Sequence, residues 1–258
     1  MDELKKLWTI TRYSFLEILR SKIIYNTLFL GIAIVIVSYL ATSFTFGVPE
    51  RVALDFGLGA LTISAVLIAI FMGVTLVSRE IENRTVYMVL VRPLRRSTFI
   101  VGRVIGLAGI LALNTLILSF FALGVFFFFG GTFQTLIVWT IFFAFIEALI
   151  VLTVVVFFSL LTNPILSVIY TLAIYIAGHA VDGISKSILV TSSPYYSAVV
   201  KWYYLLFPNF QRINFKDYVL YQQSLPFEQV MQSLGYGGAY VTFILIAAAV
   251  VFQHKNLD

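Results

Sequence analysis

The sequence predicts an all-α integral membrane protein: six transmembrane helices, an amphipathic N-terminal interfacial helix, and short helices on the outer face between the fifth and sixth spans. Three observations predict it. Of the 258 residues, 60% are hydrophobic and 11% charged, more apolar surface than a soluble domain of this size can bury. The apolar residues gather into six segments, each near the roughly 20 residues a helix needs to cross the hydrocarbon core. The basic residues are divided unevenly between the connections, as retention of Lys and Arg on the cytoplasmic side requires. The whole chain, 1–258, reads as one transmembrane domain.

Residues 1–22 come first. Leu4, Leu7, Trp8, Thr11, Phe15, Ile18 and Leu19 recur at helical spacing, with Lys5, Lys6, Arg12, Glu17 and Arg20 largely elsewhere. Such a helix is expected to lie in the headgroup region, its cations near anionic membrane lipid. It serves either as a plain anchor for the first span or as a transmitter of motion. The first span covers about 23–44; because it is span-length and begins only after 22 residues, it reads as a retained helix rather than a cleavable leader. The second covers about 57–78.

Between the second and third spans lies the densest run of charge in the chain, within a loop over 79–99. Glu80, Glu82 and Arg84 are polar, while Val86, Met88, Val89, Leu90 and Val91 offer apolar contact. A short helix is expected there, ending at Arg92-Pro93 because the residue before a proline is pushed out of the α region. Topology-setting charge would explain the arginines but not Glu80 and Glu82, since acids contribute little to orientation. Mixed charge beside an apolar strip reads as a docking surface, where charge sets register and the apolar core supplies affinity.

The third span, about 100–129, is long enough to require either a tilt or a break near Gly124. Gly102 and Gly106 give it a G-x-x-x-G spacing that permits close helix packing, although the motif is frequent in apolar sequence. The fourth covers 134–161 and the fifth 163–182, with Asn163 suited to the turn and Pro164 to the first turn of the next helix. The sixth covers 236–253. The segment 183–235 before it is too long for a simple connector. It is rich in Tyr, Trp and Phe and cut by Pro194, Pro208 and Pro226, so short helices lying flat or dipping into the outer leaflet are expected. That segment reads either as a lid packed on the bundle or as a gate.

With the N-terminus inside, 12 of the 17 Lys and Arg residues face the cytoplasm and 5 the other side. Both termini are therefore expected to be cytoplasmic, in a cell inner membrane or an organelle membrane. The same bias accounts for the net charge of +5, so no nucleic-acid partner is implied.

Few polar residues fall inside the spans. Glu147 lies near the middle of the fourth, where an ionised carboxylate costs several kcal/mol unless paired, hydrated or protonated. It is expected to face the bundle interior or a subunit interface. Asn114 in the third span, with His179 and Asp182 in the fifth, are the nearest candidates for a shared polar network; His179 and Asp182 are three apart and share a helix face. One histidine and one carboxylate make at most half a metal site, so structural hydrogen bonding competes with a proton relay here.

The chain has no cysteine. It also lacks a G-x-x-x-x-G-K-[ST] loop to cradle phosphates, H-E-x-x-H and G-x-S-x-G. No catalytic or metal site is expected, and any work the protein does draws its energy from a partner.

The run Ser78-Arg79-Glu80-Ile81-Glu82-Asn83-Arg84-Thr85, then Arg92-Pro93-Leu94-Arg95-Arg96 and Gly102-Arg103, resembles the E-x-x-x-x-T, R-P-x-x-R and G-[KR] signature of the membrane permease subunit of type-2 ABC exporters. Phe207-Pro208-Asn209-Phe210 and the Val251-Phe252-x-x-Lys255 ending are similar to further habits of that family. The resemblance covers nearly the whole chain and is closest to the small stand-alone permeases, including the copper-maturation type that serves nitrous oxide reductase. It implies a second permease subunit around a central pathway and two copies of a cytoplasmic ABC ATPase, with ATP and magnesium held by the ATPase and no cofactor in this chain. The 79–99 loop would supply the coupling helix, with Arg79, Glu80, Glu82, Arg84 and Thr85 at the ATPase and Arg92, Pro93, Arg95 and Arg96 fixing the loop against headgroups. The inner faces of the first, second and fifth spans become candidate pathway walls, and an extracytoplasmic accessory protein is a further candidate partner. Two other readings stay open: an ion-coupled secondary transporter using Glu147, and a membrane anchor or mechanotransmitter that moves no solute.

Overall fold

The computed structural model describes residues 3–20, 23–45, 47–75, 96–185, 202–203, 207–221 and 223–254. Among them there is helix and no strand. In chain order the helices are α1 (Glu3–Leu19), α2 (Ile23–Ser43), α3 (Pro49–Gly73), α4 (Arg96–Phe128), α5 (Thr135–Leu161), α6 (Pro164–Ser185), α7 (Lys216–Leu220) and α8 (Phe227–His254), with a 3-10 turn at Phe210–Ile213 before α7. Six of them, α2 to α6 and α8, are long and apolar enough to cross a membrane, which makes the chain a multi-pass membrane protein.

The core lies where α3, α4 and α5 meet, through residues such as Leu61, Ala65, Leu107, Leu111, Val151 and Val155. Against it, α2, α6 and α8 leave most of their residues on the outer surface. Ile32 and Ile36 of α2 and Ile169 and Ile176 of α6 are exposed, as expected for faces that meet lipid or another apolar surface.

Two spans start earlier than their hydropathy indicates. Helix α3 begins at Pro49 rather than near 57, and α8 at Phe227 rather than 236. Each opens with a polar turn, Glu50 and Arg51 in one and Glu228 and Gln229 in the other, which a hydropathy window excludes. The prolines mark the true starts, because Pro at or just before the first turn needs no intrahelical partner for its missing N–H.

Helix α4 runs unbroken through Gly124. It stops instead at Gly130, which takes φ +85°. There the Gly131 N–H donates to the Phe126 carbonyl and the Gly130 N–H to the Phe127 carbonyl, both at 3.0 Å. This is the Schellman pairing, in which a left-handed glycine satisfies the last carbonyls of the helix. Between α5 and α6 the reversal takes two residues. The Asn163 side-chain carbonyl accepts from the Leu166 N–H at 2.9 Å, capping the helix that Pro164 opens.

Helix α1 packs chiefly on the first turns of α4. A β-carbon on Gly106 would lie 2.5 Å from the Ser14 β-carbon and 2.9 Å from the Thr11 carbonyl oxygen, and one on Gly102 would lie 2.9 Å from Ile10. The glycines therefore admit α1 to near backbone contact. This shifts the buried face of α1 from the one its largest apolar residues suggest. Ser14 and Ile18 are buried, whereas Leu4 and Trp8 are 77% and 69% exposed. Close approach selects a small residue over an indole. Arg103, 5% exposed, donates to Glu17 at 2.7 Å and to Ser14 at 3.0 Å, so a buried guanidinium is tied to α1 at the same seam.

Candidate functional site

Two regions concentrate the polar chemistry. The first is the end of the bundle where α1 and α4 begin and α8 finishes. Arg96, the first residue of α4, donates to the Gln253 carbonyl at 3.4 Å. Thr98 donates to Glu3 at 3.3 Å, and the Phe99 and Phe252 rings stack 6.1 Å apart. Helix α4 begins at this junction, at Arg96. Arg79, Glu80, Glu82, Arg84, Thr85, Arg92, Pro93 and Arg95 lie outside the described residues; Arg96 is the one member of the loop set whose contacts are described, and it ties α4 to the end of α8.

The second region is inside the bundle. Glu147, 3% exposed on α5, accepts a hydrogen bond from the Tyr175 hydroxyl at 3.0 Å. His179, one turn beyond Tyr175 on α6, places Nε2 3.5 Å from the same carboxylate oxygen, while its Nδ1 lies 3.2 Å from the Tyr175 carbonyl. A carbonyl only accepts, so Nδ1 carries the proton there. A hydrogen bond between Nε2 and Glu147 then needs one further proton, on either the imidazole or the carboxyl. Glu147, Tyr175 and His179 thus form one polar cluster between α5 and α6.

The segment after α6 closes over this cluster. Phe210 stacks on His179 with ring centres 5.1 Å apart and meets Tyr175 at 5.3 Å. Gly178 makes room, since a β-carbon there would collide with the Pro208 carbonyl and the Phe210 ring. Phe215 packs edge-on against Phe143 at 4.6 Å. Phe143 is eight residues from the start of α5 at Thr135, so the segment reaches about 12 Å into the bundle. Asn209, 2% exposed, donates its backbone N–H to the Tyr236 hydroxyl at 2.7 Å, and Ser233 donates to the Arg212 carbonyl at 2.7 Å. Residues 207–221 are thus a lid packed into the bundle.

A cavity of about 20 Å³ separates Glu147 from the lid, with Thr140, Phe215 and Lys216 in its wall. That volume suits a single water molecule. On its far side Lys216 pairs with Asp55 of α3 at 2.6 Å, both partly exposed.

Asn114 is not in this set. It accepts from Thr27 of α2 at 2.8 Å and points its amide at the Met72 sulfur, 3.9 Å away, because its face of α4 meets α2 and α3. Asp182 lies on α6, and its side chain is outside the described residues. Sequence reasoning missed Tyr175, although its spacing of four from His179 puts both on one face. The Arg103–Glu17, Lys216–Asp55 and Phe210–His179 contacts join residues far apart in the chain and leave no local signal. Among the described residues no three His, Cys, Asp or Glu side chains cluster in a way that could hold a metal.

Glu147→Gln is expected to keep the fold, since an amide oxygen still accepts from Tyr175. Glu147→Leu strands that hydroxyl, at a cost of about 1–3 kcal/mol. Thermal denaturation in one detergent should place the leucine variant clearly below the glutamine variant; equal midpoints would contradict the assignment of Glu147 as the acceptor.

No family model matches this sequence, and no curated protein matches it significantly.

Proposed function

We propose that this chain is the permease subunit of an ATP-driven ABC exporter, working with a separate soluble ATPase in a cell inner membrane, both termini on the ATPase side. The observation that carries the reading is the mixed-charge run from Arg79 to Arg96, set between two spans in a chain without a phosphate-binding loop. Its supports are the amphipathic helix ahead of six spans and the tight union of α1, α4 and α8 where that run enters the bundle. Through that union, closure of an ATPase against Glu80 and Glu82 would move α4, α1 and the end of α8 together. The exposed apolar faces of α2 and α6 are then the surfaces for a second permease subunit.

The test is gentle affinity purification from native membranes, followed by mass spectrometry for a stoichiometric chain with a Walker motif. Glu80→Arg combined with Glu82→Arg is expected to leave membrane insertion intact and to lower recovery of that ATPase and its activity at least about tenfold, the scale of lost charge complementarity. Unchanged recovery and hydrolysis would sink the proposal. The Glu147–His179 pair favours a second reading, an ion-coupled transporter, which predicts transport that survives ATP depletion and follows the proton gradient.

A further inference from the structure

At the opposite end of the bundle a cleft of about 200 Å³ opens between the start of α3, the α4–α5 connection and α7. Its floor is apolar, made by Leu54, Phe126 and Val219, all nearly inaccessible. Its rim carries a carboxylate and a guanidinium, Glu50 and Arg51, with the neutral polar groups of Thr132 and Gln134 opposite. Neighbours in sequence do not face each other on a helix, and neither charged side chain has a hydrogen-bond or ion-pair partner among the described residues. Two unpaired opposite charges over a greasy floor suit a ligand that brings both signs and an apolar body.

The position of the cleft narrows the choice. Exposed Tyr221 flanks it, and tyrosine is enriched at the headgroup level of a bilayer. The first turn of α3, which Val48 leaves without a side-chain cap, adds a modest preference for an anionic group beside Arg51. We infer that this cleft binds a zwitterionic headgroup, its phosphate at Arg51 and its ammonium at Glu50, with the glycerol and upper acyl region on Leu54 and Phe126. The inference is independent of the ATPase reading.

Native mass spectrometry of the delipidated full chain tests it, titrated with dioleoyl phosphatidylethanolamine and with dioleoyl phosphatidylglycerol. The wild type is expected to hold the ethanolamine lipid about tenfold more tightly, the scale of one charge-assisted contact. Glu50→Gln should erase that preference, and Arg51→Gln should weaken both lipids. Monodisperse elution of the variants checks that they are folded. Soluble glycerophosphoethanolamine separates the sources: displacement of lipid at millimolar concentration makes the ligand a free zwitterion, and no displacement makes it the lipid. Equal retention of the two lipids by the wild type, or variants that bind like it, would overturn the assignment.

Discussion

Gly106→Ala is expected to unseat α1. The added β-carbon meets the Thr11 carbonyl oxygen at 2.9 Å and the Phe15 nitrogen at 3.2 Å, as well as Ser14. Backbone atoms cannot rotate aside, so the helix must move away as a body. Overpacking of this kind costs about 1–3 kcal/mol. Displacing α1 also withdraws Glu17 and Ser14 from the Arg103 guanidinium, which adds to that cost. Gly124→Ala is the control, since it sits on the same helix and, beyond the local helix backbone, nothing lies within 4 Å of the new carbon. It should be neutral or slightly stabilising through helix propensity alone. Thermal midpoints and tryptic cleavage after Arg12 report the difference. If both variants melt together and α1 stays protected, the glycine seam does not hold α1.

Phe210→Ala should open the lid. The ring is 1% exposed between His179 and Tyr175, and deleting a buried phenyl group costs about 3–5 kcal/mol. When opening is fast relative to cleavage, proteolysis follows the open population. Cleavage after Arg212 and Lys216 should therefore accelerate about 100-fold or more. Tyr221→Ala, at a side chain 70% exposed, should change it little. Gly178→Ala attacks the same seat from α6 and should reproduce the Phe210 effect. Unaltered cleavage in both variants would show that other contacts hold the lid.

Much of the bundle was legible because bilayer thickness imposes length and apolarity residue by residue, so α2, α5 and α6 fall close to their hydropathy limits. The Asn163–Pro164 reversal was legible for a local reason too, since each residue satisfies its own end of the turn. Burial of Glu147 followed from the expense of exposing a carboxylate to hydrocarbon. The starts of α3 and α8 were obscured because their first turns are polar, and only Pro49 and Pro226 mark them. What could not be read was pairing. That Asn114 would meet Thr27, and not Glu147, depends on how α4 is rotated against α1, α2 and α3, which no local pattern records. The lid was foreseeable as aromatic and segmented, yet its seat on Gly178 is a long-range fit.

The unbroken course of α4 has a mechanical consequence. Its 33 residues measure about 50 Å, against about 30 Å of hydrocarbon. Even at the steep limit of about 40° for helix tilt, the rod still projects from the apolar layer. A rod with no Gly124 hinge behaves as a lever. Rocking it by about 10° around its midpoint carries each tip about 4 Å, in opposite directions. One tip holds Arg96, α1 and the end of α8; the other is the glycine-capped turn that borders Glu50 and Arg51. A push on one face of the membrane would then arrive at the other with its direction reversed, without any bend or unwinding of α4.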